Sequence, residues 1–130
     1  MANLSADQDR DLANQYHDLS VALGDYRFDH WDDLNAAQRQ RLQDQQWTLM
    51  NYSSDFTAQA IVLTLDDLQG TLDKISSATE RANEAIKTIA LVNKVISIAA
   101  SATALAATIM SGNADGAISA AQDLFDAASS

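Results

Sequence analysis

Apolar residues recur every three or four positions along the first third of the chain. They lie at Leu12, Tyr16, Leu19, Leu23 and Tyr26. This spacing places side chains on one stripe of an α-helix, which is buried when the helix packs. Residues 5–8, Ser-Ala-Asp-Gln, have the form of a capping box with Ser5 as the N-cap. The pattern predicts a helix that begins after Ser5 and ends between Gly24 and Phe28.

A second helical stripe extends over residues 34–63, and it is thin at residues 38–46, where five Gln accumulate. Its apolar members are Leu34, Ala37, Leu42, Leu49, Tyr52, Phe56, Ala60 and Leu63. We expect Asp32 or Asp33 to cap this helix, because short acidic side chains accept hydrogen bonds from first-turn amides. A break at residues 53–55, Ser-Ser-Asp, is the alternative to a continuous helix, since each of these residues can be an N-cap.

The longest stripe advances by three and four residues throughout, which is the spacing of a coiled-coil seam. Its members are Leu65, Leu68, Leu72, Ile75, Thr79, Ala82, Ile86, Ile89, Asn93 and Ile96. One long helix that tolerates Gly70 on its outer side is the first hypothesis. A break near Gly70 or Ser76 is the second.

Residues 95–110 carry no charge, and ten of these 16 residues are Ala, Ser or Thr. Residues 111–116, Ser-Gly-Asn-Ala-Asp-Gly, then give the strongest turn signal in the chain. Gly112 fits the end of the apolar helix, and Asn113 or Asp115 fits the N-cap of a last helix at about 116–128. That helix has its apolar residues on one side, namely Ala117, Ile118, Ala121, Leu124, Phe125 and Ala128.

These patterns predict an all-α protein with a single domain over residues 1–130. An antiparallel bundle of four to five helices is one architecture. The other is an elongated two-helix hairpin (about 32–69 and 71–110) flanked by shorter N- and C-terminal helices. Each arm would be about 55–60 Å long at 1.5 Å per residue. In outline, such a hairpin with an Ala-rich helix resembles bacterial helical pore-forming toxins, although it shares no motif with them.

The composition excludes several kinds of chemistry. The chain has no Cys, which excludes disulfides, zinc ribbons, iron–sulfur clusters and thiol catalysis. Its only two His, His17 and His30, and its only two Glu, Glu80 and Glu84, form no Glu-x-x-His pair. No phosphate loop, dinucleotide fingerprint or nucleophile elbow occurs. We therefore expect no enzyme activity, no catalytic residue, no metal, no cofactor and no small-molecule substrate.

The net charge is −10, from 16 Asp and two Glu against eight Lys and Arg. Such a chain repels phosphate backbones, so we expect no nucleic-acid partner. It also repels anionic lipid at first contact, which makes a membrane partner less favoured than a protein. The N-terminal residues lack the basic and apolar regions of a cleavable signal peptide. The expected location is the cytoplasm, or outside the cell after export without a cleavable signal peptide.

The candidate interaction residues lie on two stripes. Leu65, Leu68, Leu72, Ile75, Ile86, Ile89 and Ile96 are candidates on the long seam, and Trp47 and Met50 form a second, partly apolar face. The alternative for the second face is packing within the bundle. Trp31 is expected to be a core residue at the first helix junction. For the apolar helix at 86–110, core burial, a partner interface and membrane insertion stay open.

The leading hypothesis is a non-enzymatic, bacterial-type helical interaction protein that uses apolar stripes for self-association or for docking a protein partner. The alternative is a membrane-active effector or pore-forming toxin component that inserts the helix at 86–110. A further alternative is an acidic immunity or inhibitor protein, whose Asp-rich N-terminal third neutralises a basic toxin.

Overall fold

The computed structural model describes residues 4–58, 68–88 and 91–129. Its α-helices are α1 (Ala6–Asp29), α2 (Ala36–Ala58), α3 (Leu68–Thr88), α4 (Val92–Met110) and α5 (Ala114–Ser129). A 3-10 turn at Trp31–Asp33 joins α1 to α2. No β-strand occurs within the described ranges. The predicted all-α helical bundle is confirmed.

The five helices close a ring around one core. Helix α1 packs against α2 and α3, α5 packs against α3 and α4, and α4 completes the ring against α2. Helices α1 and α2 run antiparallel, since the Ser20 hydroxyl donates to the Gln46 carbonyl while Ser53 donates to Ala13. Helices α4 and α5 pack against each other directly after the tight turn that joins them.

Every helix contributes apolar side chains to the core, and the predicted stripes supply most of them. The largest side chains with almost no exposure are Tyr16, Phe56, Leu12, Leu19, Leu23, Leu42, Leu49, Ile75, Ile86, Ile98 and Leu105. The Tyr16 and Phe56 rings meet edge to face, with their centroids 5.2 Å apart. The predicted first stripe is therefore buried as a unit, and α1 continues to Asp29, one residue past the expected range.

Buried polar side chains link helices that are distant in sequence. The Tyr16 hydroxyl donates to the Ala102 carbonyl at 2.6 Å, through the interior from α1 to α4. The Gln15 amide donates to the Ser76 hydroxyl at 2.9 Å and accepts from the Thr79 hydroxyl at 2.7 Å. Each bond satisfies a group that would otherwise be costly to bury, so these bonds fix how the helices are rotated against one another.

The N-termini of α1 and α2 both use capping boxes. In α1, the Ser5 hydroxyl accepts from the Gln8 amide as predicted. In α2, the cap is Asn35, whose side chain accepts from the Gln38 amide at 2.8 Å. The prediction of Asp32 or Asp33 as this cap is wrong. These two residues lie in the 3-10 turn, because the chain must first extend at Leu34 to bury that side chain.

The turn between α4 and α5 follows the sequence prediction. Gly112 has φ of 76°, a left-handed conformation that glycine adopts without steric cost. The Asn113 amide donates to the Thr108 carbonyl and the Gly112 amide donates to the Ile109 carbonyl, which together form a Schellman motif. The Asn113 side chain then accepts from the Gly116 amide at 2.9 Å and so caps α5.

The elongated hairpin is wrong in its second arm. The predicted helix over 71–110 is divided into α3 and α4, and Leu91 is extended with φ −79° and ψ 112°. No Gly or Pro marks this break; its physical reason is burial, since α4 can contact α2, α3 and α5 only if the chain turns there. Residues 68–88 show no break at Gly70 or Ser76, and α2 continues through residues 53–55. The rest of the first arm, at 59–67, lies outside the described residues.

Replacing Tyr16 with Phe removes the hydroxyl that donates to the Ala102 carbonyl. At pH 7 we expect the free energy of unfolding to fall by about 1–2 kcal/mol. Burial raises the pKa of the Tyr16 phenol above its usual value of 10.0, so the unfolded chain releases this proton first. The wild type should therefore lose about 1.4 kcal/mol more per pH unit than Tyr16→Phe as the pH rises above 10. Urea unfolding followed by circular dichroism between pH 7 and 11 measures both effects, and parallel pH dependences would contradict the assignment.

Candidate interaction surface

The long seam contributes core residues to this fold, which limits its use as an interface. Ile75 and Ile86 are completely buried, and Leu72 and Ile96 are half-buried against the core. These four side chains stabilise the bundle, so Ile75 and Ile86 are not accessible to a partner unless the bundle opens. The candidates Leu65 and Ile89, together with the side chain of Leu68, lie outside the described part of the chain.

The second candidate face is at the surface. The Trp47 side chain is 60% exposed, so it does not pack within the bundle, while Met50 is half-buried. Trp31, expected in the core, is instead 43% exposed. Its position is fixed by Arg39, whose guanidinium carbon lies 4.3 Å from the ring centroid and whose Nε and Nη2 donate to the Trp31 carbonyl. A cation–π contact and two charged hydrogen bonds thus replace core packing.

Exposed apolar side chains concentrate on α1, the 3-10 turn and α2. Among the described residues, seven large apolar side chains are exposed, and four of these lie in this region. We call these four, Val21, Phe28, Trp31 and Trp47, the α1–α2 face; the first three line one cavity, and Trp47 directly follows Gln46, which lines the same cavity. Phe28 is 82% exposed, the highest value of the seven. Large exposed aromatic groups in one region are typical of surfaces that bind other proteins.

A shallow cavity of about 350 Å³ lies within the α1–α2 face. Its lining consists of Val21, Gly24, Asp25, Arg27, Phe28, Trp31 and Gln46. Gly24 lets the Gln46 side chain pack closely against α1, because a Cβ at position 24 would lie 2.5 Å from the Gln46 amide nitrogen. Arg27 reaches over the Trp31 ring at 5.7 Å and donates to the Gln43 side chain at 3.4 Å. The cavity is therefore lined by three large apolar side chains together with one carboxylate, Asp25, and one guanidinium, Arg27.

A second groove lies between α3 and α5, with a volume of about 500 Å³. Ile118 and Phe125, expected on the buried side of the last helix, are 37% and 39% exposed on one of its walls. Asp73 and Lys74 stand on the α3 side. This groove is larger than the cavity of the α1–α2 face, but its apolar side chains are more buried.

Helix α4 has one buried side and one exposed side. Its seven buried residues face the core, while Asn93, Ser97, Ala100, Ala104 and Ala107 form an exposed stripe. Among the described helices, α4 alone has the length and composition to cross a membrane, with a mean hydropathy of 1.5. Core helices of soluble proteins share these properties. Core burial, one of the three alternatives for the apolar helix, therefore holds for one side of α4.

The titratable groups of the described residues form no metal-binding cluster of three or more His, Cys, Asp or Glu side chains. His17 lies 3.9 Å from Asp18 at the surface. The His30 ring stacks on Tyr26 with centroids 4.1 Å apart, and its Nδ1 lies 3.0 Å from the Tyr26 carbonyl. Partial burial raises the pKa of Asp9, whose Oδ1 has no hydrogen-bond partner within the described structure. Among the described residues, neither histidine ring makes a hydrogen bond with a hydroxyl of the kind found in a catalytic triad.

Sequence reasoning missed Phe28 and Val21 as surface residues. The signal was present, because neither residue belongs to the stripe from Leu12 to Tyr26. Position off the stripe indicated exposure, but only the structure places the two residues around one cavity with Trp31.

The chain matches no protein-family model, and neither curated proteins nor solved structures give a significant match.

Because the residues of the α1–α2 face are exposed, they can be replaced with little effect on the stability of the core. We expect Phe28→Ser and Trp47→Ser to change the free energy of unfolding by less than about 0.5 kcal/mol. Ile75→Ala should cost about 2–5 kcal/mol, because it leaves a cavity in a completely buried position. Urea titrations of the three variants provide the comparison. A large loss for either surface variant would show that its side chain supports the fold.

Proposed function

We propose that this chain is a non-enzymatic helical interaction protein that docks a protein partner through the α1–α2 face. The exposure of Phe28, together with Trp31 and Trp47, is the observation that carries the proposal. Aromatic residues are enriched among the side chains that dominate binding energy. The net charge of −10 already makes the chain soluble, and exposed aromatic side chains do not add to its solubility. Their exposure leaves apolar surface area that a partner can bury.

The free energy available from burying these exposed side chains favours docking over incidental exposure. Complete burial of one Phe side chain contributes about 1.5–3 kcal/mol, and each factor of ten in affinity corresponds to about 1.4 kcal/mol. Phe28 and Trp47 together can therefore change an affinity by about two orders of magnitude or more. Because Arg39 already holds Trp31 in place, the Trp31 side chain loses little conformational entropy when a partner binds.

Membrane activity through α4 is a second candidate, which the length and hydropathy of this helix favour. Insertion would first have to break the bond from Tyr16 to Ala102 and the bond from the Gln45 amide to Ile96. The exposed stripe of α4 contains Ala and Ser, which drive insertion weakly. Protein docking needs no such opening of the bundle, and for this reason we rank it first.

Site-specific crosslinking tests the docking proposal. The photoreactive residue p-benzoylphenylalanine would replace Phe28 or Trp47 in the native host, and Asp123, exposed on α5, in a control. We expect both positions on the α1–α2 face to crosslink the same protein and the control position not to do so. The partner would then be purified, and its affinity measured for the wild type, Phe28→Ser and Trp47→Ser. Each variant should weaken binding by about tenfold or more.

Two results would reject docking at this face. One is a crosslink that is equally frequent from position 123, and the other is a purified partner whose affinity ignores both serine variants. Dye release from liposomes at pH 7 and pH 5 tests the second candidate in parallel. Release by the folded wild type, with no crosslinked partner, would favour membrane activity instead.

A further inference from the structure

The outer side of α1 carries a second seam, opposite the buried stripe. It consists of Asp11, Asn14, Asp18, Val21, Asp25 and Phe28, and all six residues are exposed. Their spacings alternate between three and four residues, as in the contact seam of a coiled coil. With 3.6 residues per turn, these positions follow one line along the helix. We call this line the outer seam of α1.

The chemistry of the outer seam repeats every seven residues. Asp11, Asp18 and Asp25 form one series, and Asn14, Val21 and Phe28 form the other, which becomes more apolar toward the end of α1. Within the described residues, Asp11 and Asp25 make no ion pair or side-chain hydrogen bond. Asp18 faces only His17, at 3.9 Å. The three carboxylates are therefore available to a partner.

The apolar end of the outer seam coincides with the α1–α2 face. Val21 and Phe28 belong to both, and the cavity of about 350 Å³ lies between them. The cavity can receive one apolar side chain of a partner, while Asp25, which also lines it, can pair with a cation. Arg27 and Arg39 keep their positive charge but lie against the Trp31 ring and do not belong to the outer seam. Apolar recognition and negative charge thus alternate along one line.

We infer that the partner docks a cationic amphipathic helix along the outer seam of α1. This inference rests on the proposed function and names its partner chemistry. The partner helix places apolar side chains against Val21 and Phe28 and places Lys or Arg at seven-residue intervals against Asp11, Asp18 and Asp25. The seam extends over about 26 Å, which corresponds to a partner helix of about 18 residues.

Charge complementarity argues against a second copy of this chain as the occupant. Two outer seams in contact would bring rows of aspartates together, and like charges in apposition are strongly unfavourable. Each chain also carries a net charge of −10, which adds longer-range repulsion. A cationic helix instead gains attraction along the whole seam, so complex formation should weaken as salt rises.

A pair of synthetic peptides tests the inference. One is a fluorescein-labelled peptide of three heptads built from Leu and Lys, and the other replaces every Lys with Glu. Fluorescence anisotropy would be measured against the wild type at 0.05 M and 0.5 M NaCl. We expect the Lys peptide to bind, the Glu peptide to show no binding, and the affinity for the Lys peptide to fall several-fold at high salt.

Matched triple variants separate the outer seam from general charge attraction. The first carries Asp11→Asn, Asp18→Asn and Asp25→Asn, and the control carries Asp115→Asn, Asp123→Asn and Asp126→Asn on α5. Both remove three negative charges from exposed positions. The outer-seam variant should bind the Lys peptide about tenfold more weakly, and the control less than twofold. Phe28→Ser should also weaken binding about tenfold. Circular dichroism would verify that each variant is folded.

Equal losses in the two triple variants would overturn the inference, because attraction would then follow net charge alone. Equal binding of the Lys and Glu peptides, or no binding of the Lys peptide, would overturn it as well. None of these results rejects the proposed function. That proposal is tested separately, by crosslinking at Phe28 and Trp47 and by the affinities of the purified partner.

Discussion

The hydrogen bond from the Tyr16 hydroxyl to the Ala102 carbonyl sets the arrangement on which the other features depend. A phenol buried this completely must find an acceptor, and it finds one on the helix across the core. The bond fixes the rotation of α1 about its axis, with the stripe from Leu12 to Tyr26 turned inward. It also fixes one side of α4 toward the core. Once α1 is held in this rotation, the side opposite Tyr16 must face solvent.

The outer seam of α1 is thus a consequence of core packing, but its composition is not. Folding requires only that the residues at these six positions can face solvent, and any polar residues would meet that requirement. Phe28 and Val21 at exposed positions instead reduce solubility. Exposed apolar residues that line one cavity are best explained by binding.

Local signals predicted the helices well and their mutual arrangement poorly. The Ser5 capping box and the end of α4 at Gly112 and Asn113 are short-range interactions, fully encoded in four to six neighbouring residues. The break at Leu91 has no such signal, because it results from burial of α4 against three other helices. The seam assigned to a partner proved to be core at Ile75 and Ile86, since periodicity identifies a buried side but not what buries it. Trp31, predicted to be core, gave the opposite result, since it is 43% exposed.

The exposed sides of α1 and α4 both have alternating three- and four-residue spacing, and magnitude decides which of these two is better suited to recognition. The stripe of α4 offers Ala100, Ala104 and Ala107, whose single methyl groups each contribute about 0.8 kcal/mol when buried. The outer seam of α1 offers an almost fully exposed aromatic ring at Phe28 and three carboxylates without strong partners. Aspartates also discriminate among partners, because a neutral or acidic helix would leave them desolvated and unpaired. Affinity from the ring and selectivity from the charges are the two properties that a docking surface requires, and the outer seam of α1 has both while the exposed stripe of α4 has neither.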